Sequence, residues 1–347
     1  MGKTEMVTVL GTRPEIIKLS LLIPMLDREF GHSVVFTSQH YSRNMVDLFF
    51  EEMEVRAPDE VLDTKTSDYS VLEEALESSF GKSRPERVVV YGDTNSTVCA
   101  ARAAKKLGIG IAHVEAGLRC FDQKVPEERN RVETDGMSDL LFPPTELARL
   151  HLEKEGITKN VHVVGNTIVD VCRHYSGKIK PAGGDYILVT AHRQENVDNP
   201  AKLGEIITAL SGFGEVVFPA HPRTKKRLEE FKVRMPPNVR MIDAVGYFEF
   251  LGLLKGAKLV ITDSGGVQEE AMTLNVPCLT IRDSTERWES IEAGGNFLVG
   301  TNSALIKAHA REILDGTLGR AMRKAKNPFG DGHASQRIAD VLKKTDF

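Results

Sequence analysis

Cysteine is scarce and scattered. Four thiols stand at Cys99, Cys120, Cys172 and Cys278, none at the CxxC spacing of a zinc or redox site. That excludes a disulfide scaffold, and three of the four lie among apolar residues, as free thiols of a reducing compartment do. Histidine and cysteine nowhere take metal-ligand spacing, so no metal or other cofactor is expected. An excess of one charge is also missing. Lys and Arg number 45, Asp and Glu 49, for a net charge of −4. Nothing in that balance pulls toward nucleic acid or an anionic membrane; neither is expected as a partner, while a local basic site for a diphosphate remains compatible with it. No apolar run is long enough to cross a bilayer, and no signal-peptide pattern opens the chain. The protein is expected in the cytoplasm, where the sequon Asn95-Ser-Thr97 stays silent. Low-complexity segments and short-period repeats are absent too.

What is present is a rhythm of strand, turn and helix. At 347 residues two domains are expected. Short β-branched runs predict strands at 6–10, 33–37, 88–91, 111–114, 140–142 and 162–164. Helices are expected at 15–30, 43–52 and 95–107. The stretch 176–185, rich in Gly, Pro and charge, reads as a linker. The rhythm then restarts, with strands at 186–190, 216–219, 239–242, 259–262 and 278–281. Helices are expected at 202–210, 247–255, 267–274, 303–314, 319–325 and 334–343. The fold class is α/β, two Rossmann-like doubly wound domains, at 1–175 and 176–331.

In such sheets ligands sit at the carboxyl ends of strands. Six predicted strand ends are followed by polar residues: Arg13, Asp93, Glu115, His192, His221 and Ser264. One such residue means little; six make an interdomain site the better reading. The octet Asp263-Ser-Gly-Gly-Val-Gln-Glu-Glu270 is the most informative stretch. Ser264, Gly265 and Gly266 turn from a strand into a helix, where free N–H groups and the helix dipole favour a phosphate. A Gly-containing joint of an α/β sheet with no ligand has a similar pattern. Asp93 also suits an N-cap for the helix beginning near Asn95. Glu115 suits a salt bridge with Arg119, Lys18 an exposed helix position, and Phe250 a helix core.

The octet resembles the DSGG-x-QEE signature of the non-hydrolysing UDP-N-acetylglucosamine 2-epimerases. Gly11-Thr-Arg-Pro-Glu15, Gly92-Asp-Thr94, His113-Val-Glu-Ala-Gly-Leu-Arg119 and Pro126-Glu-Glu128 resemble further blocks of that family. So do Ala191-His-Arg193, Arg282-Asp-x-Thr-Glu-Arg287 and Asn327-Pro-x-Gly-Asp-Gly332, in the family's order. The resemblance implies a glycosyltransferase-B-like fold with the nucleotide sugar in the interdomain cleft. It implies a last helix, 332–347, crossing back onto the first domain, and a homodimer. Inversion at C2 would proceed by elimination of UDP and re-addition through 2-acetamidoglucal. By resemblance Asp93, Glu115, Glu127 and His192 are the catalytic acids and histidine, with base and acid not assigned among them. Arg13, Lys18, His221, Ser264, Gly265, Gly266 and Arg287 would bind the substrate. Arg287 would either meet the diphosphate or hold its loop closed. Glu270 would take the ribose hydroxyls and Phe250 the uracil.

Two positions depart from the family pattern. Val245 stands where many members place a glutamine for uracil, and Trp288 where many place proline. Gln39-His40-Tyr41 only partly matches the segment near which some bacterial members bind a second, activating UDP-N-acetylglucosamine. Gly81-Lys-Ser83 ends like a Walker A loop but lacks its upstream glycine, and no GxGxxG follows the first strand. The competing activities are 2-epimerisation of a related UDP-diacetamido-uronic acid and glycosyl transfer on the same fold. Outside catalysis, a nucleotide-sugar-binding regulator has no reason to keep Asp93, Glu115, Glu127 and His192 together.

Overall fold

The computed structural model describes residues 4–38, 43–64 and 66–345, with the backbone alone at 43–46. The chain falls into two compact units. The first is made of 1–171 together with 329–347, the second of 172–328. The glycine- and proline-containing stretch 176–185 lies within the second unit.

The first unit is a six-stranded parallel sheet. Its strands are β1 (Glu5–Leu10), β2 (Gly31–Phe36), β3 (Glu60–Val61), β4 (Arg87–Tyr91), β5 (Gly110–Val114) and β6 (Leu140–Phe142), ordered β3-β2-β1-β4-β5-β6. β4 is buried along its whole length, the mark of a parallel strand covered on both faces. Val7, Val9, Val35, Val88 and Val90 pack against Ala100, Ala101, Ala103 and Ala104 of the helix Asn95–Leu107. The run of alanines lets that helix lie close to the sheet. At the end of β1, Gly11 has no room for a side chain, since a Cβ there would lie 1.9 Å from Ser96 Oγ.

The second unit repeats the plan. Strands β7 (Tyr186–Thr190), β8 (Glu215–Ala220), β9 (Val239–Asp243), β10 (Leu259–Thr262), β11 (Cys278–Thr280) and β12 (Asn296–Leu298) are ordered β12-β11-β10-β7-β8-β9. Alternate side chains feed two cores. Val189, Ile261 and Leu279 face one; Leu188, Val217 and Val260 face the other. In both sheets the order reverses beside the first strand, between β1 and β4 and between β7 and β10. These are the switch points where an open α/β sheet offers a ligand site.

The sequence reading differs from the structure at several elements. The expected helix 15–30 is two helices, Arg13–Leu19 and Ile23–Glu29. Pro24 lacks an N–H, and its ring excludes the carbonyl four residues back. No strand forms at 162–164; only Val161 bridges Leu141. β3 and β12, too short for a period to show, were not anticipated. Gly81-Lys-Ser83 closes the helix Tyr69–Ser83, in line with the rejection of a Walker A loop there.

Candidate active site

In the first unit the acids lie at the ends of β4 and β5. Glu115 follows β5 with φ at +67°, a left-handed conformation that costs a non-glycine residue about 1–2 kcal/mol. Its N–H and that of Ala116 both donate to Phe142 O, at 3.2 and 3.3 Å. The carboxylate is 5% exposed. Its Oε2 accepts Lys18 Nζ at 2.8 Å, Asn166 Nδ2 at 2.9 Å and the Tyr91 hydroxyl. Lys18 is buried rather than exposed, and its ammonium lies 5.2 Å from the centre of the Tyr91 ring. Arg119 is not the partner of Glu115. It reaches Asp135 at 2.7 Å and Glu155 at 2.6 Å.

Asp93 follows β4 and does not cap the next helix. Thr94 does so, its hydroxyl accepting the Thr97 N–H at 3.2 Å. The Asp93 carboxylate is instead paired with buried Arg131. The same guanidinium reaches Glu128 at 2.9 Å. Glu128 in turn accepts the N–H groups of Cys120 and Phe121 at 2.9 and 3.0 Å. Burial pushes Glu128 up, but the Cys120 N–H and Arg131 outweigh it and hold the carboxyl below its ordinary value. Glu127, beside Glu128 in the first turn of the helix Pro126–Met137, is half-buried. Beneath these residues His113 joins Asp135 at 2.7 Å and the Gly92 carbonyl at 2.8 Å, which fixes the loop carrying Asp93. Arg13 pairs with Glu52 at 2.8 Å and covers the Phe49 ring at 5.2 Å. Buried Glu15 caps its loop, accepting the N–H groups of Gly11 and Thr12 at 2.9 and 2.7 Å.

The second unit is organised around Asp263, which follows β10 and is fully buried. It accepts the N–H groups of His192 and Arg193, each at 3.0 Å, and Asn196 Nδ2 at 3.2 Å. The His192 ring places Nδ1 3.1 Å from the same carboxylate. Burial raises the Asp263 pKa, yet His192 and the two backbone donors prevail and keep it below the ordinary range. An Asp that engages Nδ1 fixes the ring and leaves Nε2 to the half-exposed side. His221 lies close, its ring centroid 6.1 Å from that of His192. Its Nδ1 accepts the Arg223 N–H. Burial, then the neighbouring charges of His192 and Arg223, lower its pKa.

Ser264 opens the helix Gly265–Leu274 and makes no capping bond to it. A Cβ on Gly265 would lie 2.7 Å from Glu286 Oε1, so the glycine is required for the loop 282–287 to close over the turn. Arg287 is buried and reaches Glu269 at 2.5 Å and Glu286 at 3.6 Å, while Arg282 takes the other Glu286 oxygen at 2.9 Å. Gln268 ties the turn together: its Nε2 donates to Ser264 O, and its Oε1 accepts Thr285 and Asn296. The helix starts at Gly265, two residues earlier than expected. Glu269 and Glu270 therefore stand one turn in, and Glu269 faces Arg287. Glu270 lies against Tyr247, whose phenol is pushed well up by burial and then by that carboxylate. Phe250 is partly buried against the second of the unit's cores.

The structure thus brings Lys18 to Glu115, and His192 to His221 and Asp263. Arg13 and Arg287 stand in ion pairs of their own. Tyr91, Asn166, Arg131 and Asn196 were not singled out from the sequence; their neighbours in the motifs were the available signal. Gln39-His40-Tyr41 lies outside the described residues. Among the described residues no group of three or more His, Cys, Asp or Glu is placed to hold a metal ion, and no helix is long and apolar enough to cross a membrane.

Two doubly wound parallel sheets, with ion-paired acids at the ends of the adjacent strands β4 and β5 of one and a glycine turn into a helix at the switch point of the other, define an enzyme of glycosyltransferase-B-like fold. Comparison with known proteins narrows that class. The model of the UDP-N-acetylglucosamine 2-epimerase family matches residues 25–343, and the chain belongs to that family. It is 44% identical to the UDP-N-acetylglucosamine 2-epimerase of Methanocaldococcus jannaschii, over 96% of this chain and 97% of that one. It is 38% identical to the UDP-2,3-diacetamido-2,3-dideoxy-D-glucuronate 2-epimerase of Pseudomonas aeruginosa, over 98% and 99%. The crystal structure of the Methanocaldococcus jannaschii enzyme in complex with UDP-GlcNAc and UDP superposes with a TM-score of 0.89 at 42% identity, covering 98% of this chain and 99% of that one.

Proposed function

We propose that this protein interconverts UDP-N-acetylglucosamine and UDP-N-acetylmannosamine. The observation that carries the reading is the set of two strand-end acids, Glu115 and Asp93, each facing a buried cation, Lys18 and Arg131. The C2 proton of an N-acetylhexosamine is barely acidic. Its removal needs an aimed carboxylate and a leaving group that departs with the electrons. The C2–H bond breaks to a carboxylate, a double bond forms between C1 and C2, and the C1–O bond breaks to release UDP. Return of UDP to C1 and of a proton to the other face of C2 gives the epimer. Asp93, Glu115 and Glu127 serve the proton steps, and His192 the departing diphosphate.

The diphosphate falls to Ser264, Gly265 and Gly266 at the helix start, with Arg13 and His221 as further contacts. Arg287 acts there indirectly. It offsets Glu269 and Glu286, two carboxylates that would otherwise repel a phosphate. Glu270 and Phe250 take the ribose and uracil, and Lys18 sets a positive charge 2.8 Å from Glu115. The resemblance further implies a homodimer, which light scattering of the eluted protein checks. The P. aeruginosa relative makes the diacetamido-uronic acid the second substrate to test.

The test is incubation with UDP-N-acetylglucosamine in D₂O, followed by proton NMR. Deuterium is expected at C2 of the UDP-N-acetylmannosamine formed and, with time, at C2 of recovered substrate. Product that retains protium at C2 after full turnover rejects the solvent-exchanging scheme. No turnover of this sugar but turnover of the diacetamido-uronate reassigns the substrate.

A further inference from the structure

The Asn327-Pro-x-Gly-Asp-Gly332 motif has no part in the chemistry so far, yet it leads directly to Glu115. At this motif the chain re-enters the first unit. The Phe329 carbonyl accepts the Asn166 N–H at 2.7 Å. Two glycines make that approach possible. Gly165 and Gly330 have φ of +94° and +117°, and a Cβ on Gly330 would lie 3.1 Å from the Gly165 Cα. Asn166, 2% exposed, then divides its amide. Its Oδ1 accepts the Ile168 N–H at 3.1 Å, at the start of the helix Thr167–Ser176. Its Nδ2 donates to Glu115 Oε2 at 2.9 Å. The Tyr91 hydroxyl, from the end of β4, donates to the same oxygen.

We propose that Asn166 and Tyr91 are positioning residues for the epimerisation, holding Glu115 Oε2 so that its other oxygen is aimed at the sugar, with Asn166 seated by the Phe329–Gly330 turn. The argument is one of geometry and strain. Glu115 sits in a left-handed conformation that its own backbone disfavours. Lys18 supplies charge, but an ammonium on a flexible stem does not define an orientation. A planar amide and a phenol do: both are buried, Asn166 is seated by Phe329 and Ile168, and the Tyr91 hydroxyl lies 3.4 Å from the Asn166 Oδ1. Three donors converge on one oxygen of the carboxylate, which settles its rotation about the last side-chain bond. The inference rests on the epimerase reading of Glu115.

An isosteric change separates aiming from helix capping. Asp is as good a cap as Asn, so Asn166→Asp keeps the Ile168 acceptor while it replaces the donor to Glu115 with a second carboxylate. The experiment measures kcat and KM for UDP-N-acetylglucosamine, C2 deuterium wash-in, and the melting temperature with and without UDP. The proteins are the wild type, Asn166→Asp, Asn166→Ala and Tyr91→Phe. Asn166→Asp is expected to keep the UDP-induced melting shift yet lose about tenfold or more in kcat, with KM changed less than about threefold. Wash-in falls in parallel. Asn166→Ala loses activity similarly and melts lower, and Tyr91→Phe loses kcat without a large change in KM. An active wild type with Asn166→Asp at wild-type kcat overturns the inference and makes Asn166 a cap. A folded wild type that turns over no UDP-sugar overturns the epimerase reading and this inference with it.

Discussion

The two sheets share one strand order, but their switch points are built with opposite electrostatics. In the first unit each strand-end acid meets a cation brought from a distant helix: Lys18 for Glu115, Arg131 for Asp93. In the second, the buried acid of the switch point, Asp263, is met by the His192 ring and by the N–H groups of His192 and Arg193, and the arginines stand on Glu269 and Glu286. A carboxylate that handles a proton must be aimed and kept charged until substrate arrives. An opposing cation and a few buried donors do both. A phosphate needs free N–H groups and no bare anion, so the acids nearby are absorbed into structure. On the proposed function, the same fold would serve proton chemistry in the first unit and leaving-group recognition in the second, through which partner each carboxylate is given.

Exchanging these chemistries is the way to break the comparison. Glu115→Gln and Asp93→Asn are expected to lower kcat on the order of 10²-fold or more, while UDP still raises the melting temperature by binding the folded state. Gly265→Asp, which places an acid at the helix start, should do the reverse to binding: the UDP-induced shift disappears. A Glu115→Gln protein that no longer responds to UDP would dissolve the distinction. Asp263→Asn comes next. Its amide turns a donor toward groups that are themselves donors, and His192 loses its orienting partner. A fall in kcat of about 10- to 100-fold is expected, read with KM so that lost aim and lost binding are told apart.

The buried anchors should show in acid stability. Asp135 is pushed up by burial, but His113 and Arg119 prevail and hold it below the ordinary carboxylate value; Asp263 is likewise held low. A depressed folded-state value stabilises above the unfolded pKa of about 4 and is lost as pH falls through the folded value. Urea midpoints are therefore expected to be flat near neutrality and to drop below about pH 4, less steeply in Asp135→Asn. That variant begins less stable by about 3 kcal/mol, the cost of breaking a buried pair. The smallest effect falls on the exposed Lys106–Glu77 pair. Lys106→Ala should leave both kcat and melting temperature unchanged, since such pairs contribute little.

Much of this was legible because strand ends are. The runs 186–190 and 259–262 predicted β7 and β10 to the residue, since buried parallel strands are continuous in β-branched residues. The positions of Asp93, Glu115 and His192 followed from where the runs 88–91, 111–114 and 186–190 stop. Their partners did not. Tyr91 and Asn166 meet Glu115 across 24 and 51 positions of sequence, and no local period encodes that distance. Arg119, four residues from Glu115, was the nearer choice and the wrong one, because the left-handed turn at Glu115 sends the two side chains to different partners. The expected helix 15–30 failed where the apolar spacing of Ile16, Leu19, Ile23 and Leu26 masked the stop at Pro24.

The seat of Asn166 bears on how the molecule is made. Residues 172–328 form one uninterrupted unit and have all their strands once they leave the ribosome. The earlier-synthesised unit has its strands by Phe142 but lacks the Phe329 carbonyl and the helix Ala334–Lys344 until residues 329–344 follow. Domains are commonly completed in order of synthesis; here the second is finished before the first. A nascent chain, or one clipped before Phe329, therefore lacks the seat of Asn166 and, on the inference above, is expected to be less active than the full chain.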